Sequence, residues 1–217
     1  MAPTAPLPSP GPHAAGPNRL AAGGPASHGP TTAPAAVKIL IAGGFGVGKT
    51  TLVGSVSEVA PLRTEELLTR ASVGVDDLSG IDSKETTTVA LDFGRITVNP
   101  ELVVYLFGTP GQERFWFMWN DLVNGALGGI VIADTRRLDT SFASIDFFES
   151  RGIPFVVAIN CFHAHNTRGP EEIRAALDLD PQVPMLLGDV RERTYGRDLL
   201  LALVDHLMDL STAAAIG

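Results

Sequence analysis

The stretch Val37-Lys38-Ile39-Leu40-Ile41-Ala42-Gly43-Gly44-Phe45-Gly46-Val47-Gly48-Lys49-Thr50-Thr51 decides the fold of this chain. Its first six residues form an apolar run of strand length, and Thr50-Thr51-Leu52-Val53 opens a helical pattern. Between them, Gly43 and Gly48 bracket a loop that ends in Lys49 and Thr50, the spacing of a phosphate-binding loop. The chemistry demands these residues. Glycines let several backbone N–H groups curl toward one anion, and the helix that follows adds its positive end. Gly43, Phe45, Gly46, Val47, Gly48 and Thr51 are the candidate nucleotide cradle. Lys49 is the candidate for the β- and γ-phosphates, and Thr50 for Mg²⁺ through its hydroxyl.

Working outward, the same alternation of strand and helix continues. Thr88–Phe93 alternates like a half-buried strand. Leu102–Phe107, Ile130–Ala133, Phe155–Ile159 and the weaker Met185–Leu187 are short apolar runs of the kind found in parallel sheets covered on both faces. Helical patterns are predicted over Trp116–Asn124, Thr140–Ser150, Pro170–Leu177 and Thr194–Leu210. This order predicts an α/β phosphate-loop nucleotidase fold, a mostly parallel six-stranded sheet with helices on both faces. The domain is expected over residues 37–210, with a C-terminal tail at 211–217. Residues 1–36 are mostly Ala, Pro and Gly, with Arg19 their only strongly basic residue, and are expected to be a disordered tail. Residues 61–83 carry no pattern that separates helix from loop.

Composition narrows the function classes. The 217 residues hold 16 Lys+Arg against 24 Asp+Glu, a formal net charge of −8, which disfavours sequence-independent nucleic-acid binding. One cysteine, Cys161, allows no intramolecular disulfide and fits a cytosolic setting. The longest apolar run, Ala126–Ala133, is far shorter than the roughly 18–20 residues of a membrane-spanning helix.

A second motif, Gly108-Thr109-Pro110-Gly111-Gln112-Glu113-Arg114-Phe115, follows the third strand. Here the chain resembles the Ras-like small GTPases, whose corresponding motif is Asp-x-x-Gly-Gln. The resemblance implies that Gly111 offers its N–H to the γ-phosphate and that Gln112 orients the attacking water. The usual metal-holding Asp is Gly108, which predicts weaker metal binding. Bacterial Ras-like proteins of the gliding and polarity type also lack that Asp. Thr88 aligns with the family's switch I threonine, which ligates Mg²⁺ and meets the γ-phosphate. Lys49, Thr88 and Gln112 are thus the candidate catalytic residues, and Thr50 and Thr88 the candidate metal ligands.

Base recognition departs further from the family. Its Asn-Lys-x-Asp motif is Asn160-Cys161-Phe162-His163 here, so Asn160 is retained. His163 replaces the carboxylate that accepts both N–H groups on the guanine edge, and a neutral imidazole has one acceptor. One unpaired donor in a closed pocket costs about 1–3 kcal/mol. Asp189 and Val190 fall at the family's last base-contacting loop.

Phe115-Trp116-Phe117-Met118-Trp119 follows Gln112. Five large apolar residues in a row cannot all face inward on one helix, which implies that some are presented to a partner. Arg136-Arg137 reads as a solvated pair at a strand end. No arginine precedes Thr88, and Arg114 alone stands beside Gln112, so intrinsic hydrolysis is expected to be slow.

The combination of motifs between Val37 and Leu210 is similar to the small ATP/GTP-binding proteins of the actinomycete signalling clusters called conservons. That resemblance implies a GTP/GDP switch in the cytoplasm, recruited to the inner membrane face by its partners. Those partners would be a roadblock-type regulatory protein and a sensor-kinase-like protein. Open alternatives are a nucleotide-binding interaction module with little hydrolysis, an ATP-preferring ATPase or small-molecule kinase, and a purely structural protein.

Overall fold

Parity along the central strands sorts the core into two layers. In β1 (Ala35–Ala42), Ile39 and Ile41 belong to one layer and Leu40 and Ala42 to the other. β5 (Ala126–Asp134) repeats this with Ile130 and Ile132 against Val131 and Ala133, and β6 (Phe155–Asn160) with Val156 and Ala158 against Val157 and Ile159. A strand covered on both faces has no place for alternating polar residues, which is why these runs read as continuous. The first layer is closed by α1 (Lys49–Val56) and α5 (Arg193–Ile216) through Leu52, Val53, Leu199 and Leu203. The second is closed by α3 (Phe142–Glu149) and α4 (Pro170–Ala176) through Ile145, Phe148 and Ile173. Gly129 admits the Phe148 ring against β5: a Cβ there would lie 2.5 Å from its Cζ.

The computed structural model of the chain describes residues 33–60, 62–69, 86–162 and 168–216, of which 62–69, 86–90, 113 and 216 are described by backbone alone. The remaining strands are β2 (Leu62–Thr69), β3 (Thr86–Asn99), β4 (Leu102–Gly108) and β7 (Met185–Gly188). One sheet runs in the order β2-β3-β4-β1-β5-β6-β7. β4, β1, β5, β6 and β7 are mutually parallel, while β3 is antiparallel to both its neighbours, β4 and β2. The six expected strands are all present. The seventh, β2, lies in the stretch that offered no pattern, because Leu62-Arg63-Thr64-Glu65-Glu66-Leu67-Leu68-Thr69 mixes helix formers without a period of two. Pairing with β3 over eight residue pairs, not local propensity, makes it a strand.

Three boundaries differ from the sequence reading. The helix expected over Trp116–Asn124 is a 3₁₀ turn at Glu113–Met118 followed by a single turn, α2 (Trp119–Leu122). Its winding is set by Phe115 and Trp119, which are buried, and by the Trp119 indole N–H, which donates to the Pro110 carbonyl at 3.1 Å. α5 continues to Ile216, so residues 211–216 are helix and not a tail; the run Ala213-Ala214-Ala215 favours that continuation. The chain divides between Thr32 and Ala33, and residues 1–32, most of the expected tail, lie outside the described residues. Among the described residues no helix is long and apolar enough to cross a membrane.

The parallel strands bring their carboxyl ends to one edge of the sheet, where loops in such folds hold ligands. The turns after β1, β4, β5, β6 and β7 gather there.

Candidate functional site

β1 delivers the chain into the loop 43–48 with three glycines at positive φ: Gly43 at 135°, Gly46 at 76° and Gly48 at 113°. No side chain caps the start of α1, so its leading N–H groups remain available to an anion. A cleft of about 470 Å³ opens over this loop. Phe45, Gly46, Gly48, Lys49, Thr50 and Thr51 line it together with Gly111 and Gln112. Two motifs distant in sequence thus meet at one cleft. The Val47 side chain is fully buried in the core, so that residue offers the cleft only its backbone.

Lys49 is nine-tenths buried, and its ammonium donates to the carbonyls of Gly43 at 2.8 Å and Gly44 at 2.7 Å. Burial lowers its pKa to about 8, against the opposing charge of Asp92. Gly111 comes so close that a Cβ there would lie 2.5 Å from Lys49 Nζ and 2.8 Å from the Gly44 oxygen. Only glycine lets the strand end lie down on the loop. Gln112 leads into the 3₁₀ turn, and its Oε1 accepts a hydrogen bond from Arg114 Nε at 2.8 Å.

Asp92 is the residue that sequence reasoning missed. It lies on β3 directly opposite Gly108 of β4, and its Oδ2 accepts the Thr50 hydroxyl at 2.6 Å. A Cβ on Gly108 would stand 2.9 Å from Asp92 Cβ and 3.1 Å from its Oδ2. The Asp92 side chain on β3 thus fills the volume that a side chain at position 108 of β4 would occupy. Carboxylate and hydroxyl oxygens stand together here beside the phosphate loop, a donor set that fits a hard divalent cation. A lone acid in the alternating strand 88–93, beside a strand that lacks one, was the available signal. Thr88 pairs with Leu67 across β2 and β3, and its side chain lies outside the described residues.

Asn160 ends β6 and is buried. Its Nδ2 donates to the Val47 carbonyl at 2.9 Å, and its Oδ1 accepts the Val190 N–H at 3.4 Å. Asn160 thus braces the phosphate loop against the turn after β7, and the Val190 side chain packs beneath Gly48. The Asp189 carboxylate accepts both the Arg191 side chain, at 2.9 Å from Nε, and the Arg191 backbone N–H. His163 lies outside the described residues. Cys161 is half-buried, and burial pushes its thiol above the usual range.

Arg136 and Arg137 are more than a solvated pair. Asp134 at the end of β5 is fully buried and takes Arg136 in a bidentate pair at 2.7 and 2.9 Å. Burial would push the Asp134 carboxyl up, but the hydrogen bonds and charge of Arg136, with Arg137, hold it below its usual value. Arg136 also lies 4.0 Å over the Phe162 ring, and Arg137 donates to the Phe45 carbonyl at 3.2 Å. In the aromatic run, Phe115 and Trp119 face inward while Trp116 and Phe117 are 37 % and 59 % exposed.

A family model described as conserved hypothetical ATP binding protein matches residues 41–210. A curated relative, the uncharacterized protein MJ1339 of Methanocaldococcus jannaschii, is 30 % identical over 126 residues, covering 57 % of this chain and 69 % of that protein. Among solved structures, the G domain of the T. maritima FeoB iron transporter matches with a TM-score of 0.55 at 17 % identity, over 79 % of this chain and 99 % of that one. The cytosolic domain of the same transporter in a GDP form gives 0.56 at 16 % identity, over 80 % of this chain. This chain spans 64 % of that longer one, just under two thirds. At these identities the likeness shows the fold: a phosphate-loop, GTPase-like α/β domain.

Proposed function

The chain belongs to the family of conserved hypothetical ATP-binding proteins, and on that premise we propose that it is a nucleotide switch that binds GTP and hydrolyses it slowly to GDP. The observation that carries this reading is the meeting of Gly111-Gln112 with the loop of Lys49 and Thr50 in the lining of one cleft. A glutamine there is placed to orient a water for hydrolysis of a triphosphate. Gly43, Phe45, Gly46, Val47, Gly48 and Thr51 would cradle the phosphates through their backbone, and Lys49 would neutralise them. Thr50 and Asp92 would hold Mg²⁺, joined by Thr88 from β3; when bound, the ion offsets phosphate charge. Gln112 would orient water toward the terminal phosphorus. A P–O bond to that water forms, the bond to the β-phosphate oxygen breaks, and the proton leaves on phosphate. Because Arg114 holds the Gln112 carbonyl in this structure, Gln112 must first be released, which supports slow intrinsic turnover.

The cytosolic domain of the T. maritima FeoB iron transporter, a fold neighbour recorded in GDP and GMPPNP forms, supports guanine. The family description names ATP, and Cys161 and His163 remove the usual guanine readers, so an ATP-preferring hydrolase is the second reading. Asn160, His163, Asp189 and Val190 would surround the base in either case. Competition of GTP and ATP against a fluorescent diphosphate decides between them. GTP is expected to displace the probe at a concentration at least about tenfold lower than ATP. Equal displacement withdraws the guanine assignment. Gln112→Ala is expected to slow single-turnover hydrolysis by about 10- to 100-fold with nucleotide affinity unchanged; an unchanged rate leaves a binding module with little hydrolysis.

Asp92→Asn gives a sharper check on the metal. It keeps the shape and a partner for Thr50 but removes the charge. The Mg²⁺ concentration needed for half-maximal triphosphate binding should rise about 10- to 100-fold. An unchanged Mg²⁺ requirement would take Asp92 out of the site.

The conservon resemblance adds the output: a roadblock-type regulatory protein and a sensor-kinase-like protein as partners, met in the cytoplasm or at the inner membrane face. The exposed Trp116 and Phe117, four and five residues after Gln112, support a partner surface that moves with the nucleotide state.

A further inference from the structure

Most of the phosphate loop is held from inside the fold. The carbonyls of Gly43 and Gly44 accept Lys49, and that of Val47 accepts Asn160. The peptide between Phe45 and Gly46 lies at the outer turn of the loop, where the Phe45 residue is 67 % exposed. Gly46 has no side chain and sits at φ 76°, so this peptide can turn over at little steric cost. Its orientation decides what an anion in the cleft meets. In a trans peptide the carbonyl and the N–H point opposite ways, so one arrangement offers the anion a donor and the other an oxygen.

One side chain fixes that orientation. Arg137 Nη2 donates to the Phe45 carbonyl at 3.2 Å and stands 3.8 Å from where a Cβ of Gly46 would lie. Phe45 and Gly46 line the cleft and Arg137 does not, so the carbonyl is drawn outward and the Gly46 N–H is turned toward the cleft. Arg137 is itself anchored along its length. Its backbone N–H donates to the Asp134 carbonyl at 2.9 Å, and its own carbonyl accepts the Thr140 hydroxyl at 2.9 Å. Its Nη2 lies 3.9 Å from Oδ2 of the buried Asp134. Arg136 already takes that carboxylate in a bidentate pair, which leaves the Arg137 guanidinium to the loop. We infer that Arg137 is a positioning residue for the nucleotide phosphates: it locks the Phe45–Gly46 peptide with its N–H toward the cleft. The inference rests on the reading of this loop as the phosphate site.

Titration of wild type, Arg137→Ala and Arg137→Lys with fluorescent GDP and fluorescent ADP tests this. Arg137→Ala is expected to weaken each diphosphate that wild type binds by the same factor, about 10- to 30-fold, because the loss falls on the phosphate side. Arg137→Lys is expected to return affinity to within about threefold of wild type, since an ammonium can donate to the same carbonyl. The ³¹P signal of the bound β-phosphate is expected to move in Arg137→Ala and to return in Arg137→Lys, which a general loss of structure does not produce. Melting of the nucleotide-free protein is expected to shift by less than about 3 °C, since the bond lies at the surface. Diphosphate affinity within about twofold of wild type in Arg137→Ala overturns the proposal. A loss that follows a fall in melting temperature and that lysine does not repair overturns it too, as does a loss confined to one base. Wild type that binds neither analogue overturns the phosphate-site reading and this role with it. Binding lost in Lys49→Ala but kept in Arg137→Ala overturns the role of Arg137 alone.

Discussion

Lys49→Ala lowers affinity for a nucleoside triphosphate by about 10³-fold, measured by equilibrium titration of a fluorescent analogue. In the structure the ammonium is already desolvated and donates to two loop carbonyls, Gly43 and Gly44. An entering triphosphate exchanges those neutral acceptors for anionic oxygens. Both partners of each new bond are charged, whereas only the ammonium is charged in the carbonyl bonds given up, so the exchange favours the bound triphosphate. The lysine also stops opposing burial: its pKa, lowered to about 8 by desolvation, is lifted again by the phosphates. Lys49→Arg does not rescue. The space between the two carbonyls and Gly111 already leaves a would-be Gly111 Cβ only 2.5 Å from Nζ, too little for a planar guanidinium. Affinity within a factor of about three of wild type for Lys49→Ala would mean that the loop is not the phosphate site.

Gly43→Ala destabilises the domain by about 4 kcal/mol, read as a fall in melting temperature of about 10–15 °C. The residue sits at φ 135°, and its Cβ would run into the Ile132 carbonyl of β5, with Val47 Cγ2 at 3.0 Å. A side chain at that φ is strained by about 1–3 kcal/mol before any contact. The obstacle is backbone in the central sheet, which cannot rotate away, so β1 and β5 must part. Gly152→Ala is the control. It also has positive φ, 62°, but nothing lies within 4 Å of its Cβ, and it should cost only about 1 kcal/mol. Equal melting shifts for the two would show that strain alone, and not the packing of the loop on β5, limits Gly43.

The parts legible in the sequence share one property: they are local. Gly43 to Thr51 encodes its own turn, so the phosphate loop and the helix after it could be read directly. The buried strands declare themselves because both faces are covered. What escaped depended on neighbours distant in sequence. β2 exists through pairing with β3, and its own residues favour helix as much as strand. The turn at 113–118 winds tightly because Trp119 is tethered to Pro110, a contact no periodicity contains. Asp92 could be placed only with the antiparallel register of β3 on β4 in hand. Arg136 and Arg137 read as ordinary solvated charges because nothing in their own neighbourhood reveals that Asp134 is fully buried or that Phe45 and Phe162 lie within reach.

The pairing of Asp92 with Gly108 makes the two positions exclusive. With the acid on β3, an acid cannot simply be added on β4, since its first carbon would meet Asp92 Cβ at 2.9 Å. A second carboxylate would also stand against the first, and like charges so placed oppose each other's ionisation. The two strands have room for one acid between them, so a side chain at 108 is accommodated only where the one at 92 gives way.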